Sequence, residues 1–365
     1  MSIDLIELKP YITVSRSWIS EIFQHKIREF DGCLRANTFP IFIVNGSTEY
    51  ELENRSIAYK LFPYLSQEGH SFGLIHVMDE IYDHDLSVYY LDKCDFVFRE
   101  YYRPVGGQFQ LLTDFSKSFF MPSRYDNRYS GVKQLVYELY IRLSPRCVLP
   151  KFTFMKRQYL PALPISKVFF IPLGITDRVA LERKAALLPI TERKYMWSFC
   201  GNSFKSDRKL MLASLSKIQP NFIYEYQGFM GSRSLSGEEY WEVLTQSIFV
   251  PCALGNLNID TYRLFEVLEA GAIPIILRSH AWQPYNYYKN LLGDHPIPTF
   301  SSWQEAASFL NKIDFEMIKK LSQEVNSWYA GYKSDLKGKI QKSILEFAKD
   351  SLLSHDIMHL DRLCL

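Results

Sequence analysis

The sequence predicts an α/β protein of two domains with parallel sheets. Three observations lead there. Short apolar runs that suit buried strands alternate with runs of helical spacing along most of the chain, the pattern of strand–helix layering. The 365 residues exceed what one ordinary core encloses. A charged stretch poor in aromatics, about 176–194, separates two such alternations and reads as the link between them.

In chain order, Trp18 to Phe30 has helical spacing at Ile19, Ile22, Phe23, Ile27 and Phe30. Ile41 to Val44 is a buried strand, ending in the turn formers Asn45-Gly46-Ser47. Glu51 to Phe62 reads as a helix that Pro63 would end. Strands follow at Phe72–Met78, Cys94–Arg99 and Val168–Gly174, with a helical run at 132–143. The second alternation opens with the strand Tyr195–Cys200, the turn Gly201-Asn202-Ser203 and a helix from Lys205 to Leu215. A strand at Phe222–Gln227, a helix at Glu238–Thr245 and a strand at Ile248–Pro251 come next. A polar loop with Gly255 and Asn258 leads to Asp260, placed to cap a helix from about Thr261 to Ala270. Gly271 stops that helix, and Pro274 opens the apolar segment Ile275–Leu277. A further helix spans Trp303–Leu310, and the tail from Phe315 to Leu353 is strongly helical.

Composition excludes several classes. A hydrophobic content of 47% with 22% charged residues is that of a globular protein. A net charge of +2 implies no basic face for nucleic acid. Six cysteines with no CxxC pair fit neither a disulfide framework nor a zinc site, so buried thiols in a reducing compartment are expected. The first ten residues carry no signal-peptide core, and no apolar run reaches the length of a membrane span. The expected setting is cytoplasmic, at most peripheral to a membrane.

Chemistry can sit in four places. Arg263, Glu266 and Ala270 share one flank of the 261–270 helix, while Leu264, Phe265 and Leu268 face a core. The free N–H groups and dipole of a helix N-terminus favour an anion. An arginine suits a phosphate oxygen, and a glutamate one turn on can accept from a ribose diol. The plainer alternative is a surface Arg–Glu pair. Second, the Gly201-Asn202 turn precedes a helix carrying Lys205 and Arg208, cations that could hold a diphosphate; such a turn can also be only a turn. Neither a GxxxxGK(S/T) nor a GxGxxG pattern is present, so no dinucleotide cofactor is expected.

Third, Asp79 and Glu80 end an apolar strand, where a carboxylate could act as general base toward a hydroxyl or simply cap the next segment. Asp83-His84-Asp85 reads as a solvated loop rather than a metal site. His76 reads as a satisfied core histidine. Arg99 and Arg103 flank Tyr101 and Tyr102, either meeting an acceptor or forming a surface cluster. Fourth, His280, Trp282 and Tyr285 could wall a sugar pocket or anchor a loop.

These residues resemble a known family. Asp260-Thr-Tyr-Arg-Leu-Phe-Glu-Val-Leu-Glu-Ala-Gly-Ala-Ile-Pro-Ile275 resembles the exostosin-type glycosyltransferase signature, and Trp197-Ser-Phe-Cys-Gly-Asn202 with Ser206-Asp-Arg208 is similar to that family's Gly-Asn…Arg segment. Leu74–Glu80, Tyr89-Tyr90, Val97–Arg99, Tyr101-Tyr102 and Ile171–Gly174 are similar to its ribitol-phosphate xylosyltransferase branch. The resemblance covers about residues 70–280.

It implies the GT-B fold: two Rossmann-like domains facing across a cleft, with the last helix crossing back to the first. The expected boundaries are 1–180 for acceptor binding, 181–335 for the nucleotide-sugar donor and 336–365 for the returning helix. It implies transfer of a sugar from a nucleotide sugar, with no metal or other cofactor; the expected donor is a UDP-sugar first, the acceptor a glycan, glycoconjugate or polyol-phosphate hydroxyl, and inversion is the preferred outcome. The expected donor contacts are Gly201, Asn202, Arg208, Gly255, Asp260, Arg263 and Glu266. Arg99 and Tyr102 would meet the acceptor, and Asp79 or Glu80 would be the base. Alternatives are a non-catalytic glycan-binding or scaffold subunit of the same fold, and a sugar- or polyol-phosphate transferase.

Overall fold

A computed structural model describes residues 2–8, 15–45, 60–77, 94–100, 168–183, 187–203, 207–226, 234–255, 259–278, 286–348 and 358–359. The chain divides into two units. The first holds 1–111, 133–172 and 336–365; the second holds 112–132 and 173–335.

The first unit is built on strands β1 (Ser2–Glu7), β2 (Ile27–Glu29), β4 (Thr38–Asn45), β5 (Gly73–Val77), β6 (Phe96–Arg99) and β7 (Val168–Phe170). They lie in the order β2-β1-β4-β5-β6-β7, and every pairing is parallel. The chain thus runs outward from β1 on one side, then returns and builds the other side, a doubly wound order. The inner strands β4, β5 and β6 are near-continuous apolar runs, as burial on both faces requires. Strand β3 (Cys33–Leu34) pairs antiparallel with β13 (Met358–His359).

Both faces of this sheet are covered. Helix α1 (Arg16–Phe23) buries Trp18, Ile19, Ile22 and Phe23, and Phe23 meets Phe98 edge-on at 5.1 Å. The helical residues 60–67, α2, lie on the opposite face. There Phe42, Phe62 and Phe72 form one cluster at centroid distances of 5.1–5.9 Å.

Two local expectations change. The helical spacing from Trp18 overruns the helix, because Gln24 adopts a left-handed conformation (φ 59°) and its N–H closes back on Glu21. Residues 27–29 then pair with β1, and Arg28 grips the Asp4 carboxylate at 2.7–2.9 Å. Pro63 lies inside α2 instead of ending it. Pro63 lies in the first turn of the described helical residues, where a proline costs least, and Leu61, Phe62 and Leu65 around it are fully enclosed.

The second unit repeats the plan. Strands β8 (Tyr195–Gly201), β9 (Asn221–Glu225), β10 (Ser247–Pro251), β11 (Ile273–Leu277) and β12 (Thr299–Phe300) lie in the order β12-β11-β10-β8-β9, all parallel. Its helices are α3 (Asp177–Ala180), α4 (Arg208–Leu215), α5 (Gly237–Thr245), α6 (Tyr262–Glu269), α7 (Tyr287–Leu292) and α8 (Trp303–Leu310). A reciprocal cap starts α5: Ser236 accepts from the Glu239 N–H, and Glu239 accepts from the Ser236 N–H.

The buried Arg193 fixes the opposite edge. It donates to the carbonyls of Ser247 and Ala270 at 2.8 and 2.9 Å, joining the ends of α5 and α6. Gly271, left-handed at φ 64°, leaves room for it, since a Cβ there would stand 3.1 Å from the guanidinium. That glycine ends α6 as expected.

Helix α9 (Phe315–Ala348) begins in the second unit and ends in the first. In the second unit Tyr329 and Lys333 both hold Glu269 at 2.7 Å. In the first, Gln341 donates to the Phe23 carbonyl, and Phe347 packs on Phe96 and Phe169. Two doubly wound parallel sheets joined by this helix make the GT-B class that the resemblance implies. Among the described residues no helix is long and apolar enough to cross a membrane.

Phe42 is fully enclosed between α2 and the sheet. Phe42→Ala is expected to cost the first unit about 3–5 kcal/mol, read as a lowered urea midpoint for that unit's unfolding.

Candidate functional site

In the second unit the chain goes from β8 through α4 to β9, then crosses back through α5 to β10 on the other side of β8. The strand order reverses between β8 and β10. In open α/β sheets ligands bind just beyond the carboxyl ends of the two strands at such a point. Here those ends are Gly201 and Pro251, and the residues beyond them lead into α4 and α6.

Arg263, in the first turn of α6, reaches back to this point. Its Nη2 donates to the Cys200 carbonyl at 2.6 Å. The guanidinium lies over the Phe199 ring, 4.7 Å from the centroid, a favourable cation–π distance. Gly201 makes this approach possible, since a Cβ there would stand 2.8 Å from Nη2. The other terminal nitrogen, Nη1, is enclosed and makes no hydrogen bond of good geometry among the described residues, although the Tyr240 hydroxyl lies close enough to the guanidinium to help raise its pKa.

Arg208 opens α4 and ties the two loops together. Its Nη1 donates to the Asn202 carbonyl at 2.9 Å, while Nε and Nη2 donate to the Leu254 carbonyl at 3.2 and 3.1 Å. Burial, with Arg263 nearby, lowers its pKa to about 10, so it stays charged at neutral pH. Gly255 follows Leu254 directly. Asp207 closes the same frame, accepting from the Leu254 N–H at 3.2 Å and from Trp303 Nε1 at 2.7 Å.

Asp260 is not the cap of α6. Thr261 occupies the cap position, and no side chain caps the helix. Asp260 is instead 2% exposed. One oxygen, Oδ2, accepts from the Tyr287 hydroxyl at 3.3 Å, and Oδ1 has no partner among the described residues. The Thr261 hydroxyl is likewise enclosed and unbonded. Burial, only partly offset by the hydrogen bond from Tyr287 and by the Thr261 backbone N–H, pushes the Asp260 carboxyl up to about 7. The segment entering α6 therefore presents three polar atoms unbonded among the described residues, from Asp260, Thr261 and Arg263. In a protein interior such atoms cost roughly 1–3 kcal/mol each, so they ask for a partner.

Glu266 is also buried, at 5% exposure. Its Oε1 accepts from the Thr176 hydroxyl at 2.6 Å and its Oε2 from the Tyr240 hydroxyl at 3.0 Å. Arg263 and Glu266 are thus not a surface ion pair: one binds a strand-end carbonyl, the other two hydroxyls. Tyr240 keeps its proton, because burial and the Glu266 charge raise its pKa well above the usual phenol value. Cys200 and Cys252 flank the site at the ends of β8 and β10, and burial lifts both thiols to about 12. Neither is a nucleophile at neutral pH. No His/Cys/Asp/Glu group suited to a metal ion occurs among the described residues.

In the first unit Arg99 ends β6, 6% exposed, directly across from His76 on β5. His76 is not a satisfied core histidine. It is 2% exposed, and neither ring nitrogen has a hydrogen bond among the described residues. Burial, reinforced by Arg99, holds its pKa well below the usual value, so the ring is neutral. Asp79, Glu80, Tyr101, Tyr102, Arg103, the Asp83–Asp85 run, Lys205, Asn258, His280, Trp282 and Tyr285 lie outside the described residues.

Residues 179–348 match the family model of the RXYLT1 C-terminal domain. That span begins in α3 and ends with α9, so it holds the whole β8–β12 sheet and the α6 turn. No curated protein matches the chain. Among solved structures, Anabaena HepE in complex with UDP is 8% identical, with a TM-score of 0.40 over 96% of this chain and 100% of that one. A glycosyltransferase from Rickettsia africae ESF-5 is 8% identical, with a TM-score of 0.39 over 95% and 98%.

Thr176, Tyr240, Asp207 and Trp303 are site residues that the sequence did not single out. Their partners lie 26–96 positions away, and no local pattern encodes such contacts.

Asp260 also sets a pH dependence of stability. Its pKa in the folded protein, about 7, lies above the ordinary aspartate value of 3.8 that the unfolded chain keeps, so the folded protein holds the proton more tightly. That stability is full below the unfolded value and is lost as pH rises through the folded one. Asp260→Asn removes this loss. The variant is expected to melt above the wild type at about pH 8, with the difference shrinking toward about pH 4, measured by calorimetry across that range.

Proposed function

We propose that this chain is a glycosyltransferase whose second unit binds a nucleotide-sugar donor, first of all a UDP-sugar, at the β8–β10 reversal. One observation carries this: the enclosed, unbonded Nη1 of Arg263 at a helix N-terminus, where a diphosphate oxygen would complete it. The RXYLT1 match over that unit and the exostosin-type resemblance support the same reading.

Arg263 and the first N–H groups of α6 take the diphosphate, with the charge of Arg208 behind them. This stabilises the leaving group as the glycosidic bond to phosphate breaks. Gly201, Asn202 and Gly255 keep the loop backbone close. Glu266 has lone pairs left after accepting its two hydroxyls. It meets a ribose hydroxyl with these, while holding Tyr240 beside Arg263. Arg99 and Tyr102 orient the acceptor, and Asp79 or Glu80 removes its proton. The chemistry runs with inversion and without a metal.

UDP, GDP and CMP, with their sugars, are to be screened by thermal shift, since a ligand of the folded state raises the midpoint by mass action. UDP is expected to stabilise the wild type. Arg263→Met is expected to weaken binding roughly 10- to 100-fold, the loss of one charge-assisted hydrogen bond. Gly201→Ala is expected to act in the same direction by displacing the guanidinium. No stabilisation by any of these ligands would refute the donor site and leave the scaffold alternative.

A further inference from the structure

Three elements crowd Asp260, and each brings an uncharged or acidic group. From α7, Tyr287 donates to Oδ2 at 3.3 Å, and Tyr288 donates to the neighbouring Ile259 carbonyl at 2.7 Å. From α9, the Tyr332 phenol is raised by burial and by Asp260 itself. From the strand end of β10 comes the protonated thiol of Cys252, which also feels the Asp260 charge. Asp207, at the start of α4, adds a second negative influence on Tyr288. The cations of the site point elsewhere: Arg263 binds the Cys200 carbonyl, and Arg208 binds Asn202 and Leu254. No cation among the described residues forms an ion pair with Asp260.

An unpaired carboxylate in this surrounding would be costly, and beside a diphosphate it would be repulsive. A protonated carboxyl has neither fault. It is a hydrogen-bond donor, and its Oδ1, enclosed and unbonded among the described residues, belongs to the residue just before the α6 cap, three positions from Arg263.

Resting on the donor site proposed above, we infer that Asp260 binds the nucleotide in its neutral form, donating its carboxyl proton as a hydrogen bond to a phosphate oxygen. Nucleotide binding then takes up one proton from solvent wherever the free protein has released it. The free carboxyl's pKa of about 7 puts that release within the physiological range. Donor affinity is thus coupled to pH by a single side chain, and the site discriminates against ligands that lack an acceptor oxygen there.

The test is calorimetric titration of UDP into the wild type and Asp260→Asn between about pH 6 and 8.5, in two buffers of different ionisation heat. In the wild type the affinity is expected to fall about tenfold per unit above neutrality, with proton uptake seen as a buffer-dependent heat. In Asp260→Asn the amide keeps a donor but cannot titrate, so binding persists with neither the slope nor the uptake. UDP's own titration is common to both proteins. Wild-type binding that is flat with pH and takes up no proton would overturn this inference alone. So would a slope that survives in Asp260→Asn. Absence of UDP binding to the wild type at every pH would instead overturn the donor site beneath it. Should Asp260→Asn fail to fold, titration of the wild type with a UDP-sugar, whose diphosphate has no group titrating in this range, decides: proton uptake supports the inference and its absence overturns it.

Discussion

The bond from Arg263 to the Cys200 carbonyl organises the second unit's upper edge. It ties the first turn of α6 to the end of β8, across the place where the sheet reverses direction. A buried guanidinium is expensive unless its donors are met and its plane is covered. Here Phe199 lies beneath it, Gly201 yields the space beside it, and one strand-end carbonyl accepts from it. The second terminal nitrogen is enclosed and makes no hydrogen bond of good geometry among the described residues. An anion supplied from outside is the partner that both its charge and its geometry suit.

The surrounding groups fix that nitrogen without competing for it. Glu266 is the nearest helical carboxylate along α6, and it would neutralise Arg263 if the two met. It is turned instead to Thr176 and Tyr240, whose hydroxyls occupy both of its oxygens. Arg208 brings a second positive charge, but its hydrogen bonds join the Asn202 and Leu254 carbonyls and hold the two loops at a set spacing. Asp260, just before the α6 cap, is raised by burial toward neutrality. The turn therefore carries an uncompensated positive charge plus helix N–H groups, the combination that favours phosphate.

Much of the fold was legible because parallel strands are buried on both faces. Ile41–Val44, Tyr195–Cys200 and Ile248–Pro251 read as strands from apolar character alone, and all are. Gly271 was legible as a helix stop for an equally local reason. The misreadings share a cause. Ile27 and Phe30 continue a helical period, yet Gln24 turns left-handed and the next residues gain a strand partner in β1. Pro63 would end a helix from its interior, but it falls in the first turn of the described helical residues. Asp260 has the residue type of a cap, but the helix starts one residue later, with Thr261 at the cap position and Asp260 buried against Tyr287.

Of the site itself, the residue types were readable and their states were not. The spacing of Arg263 and Glu266 marked one flank, but whether they paired, lay in solvent or packed inward depended on Cys200, Thr176 and Tyr240, distant in sequence. His76 was readable as a core residue, but not that both its ring nitrogens would be enclosed without a bond. Arg193 offers the same lesson at the far end of the sheet, where one side chain closes two helix ends that no motif links.

The most direct measurement is a crystal structure of the protein with UDP bound. The account predicts the diphosphate at the first turn of α6, with a phosphate oxygen within hydrogen-bond distance of Arg263 Nη1 and the Cys200 contact intact. A nucleotide seated elsewhere, with that nitrogen still unbonded, would contradict it.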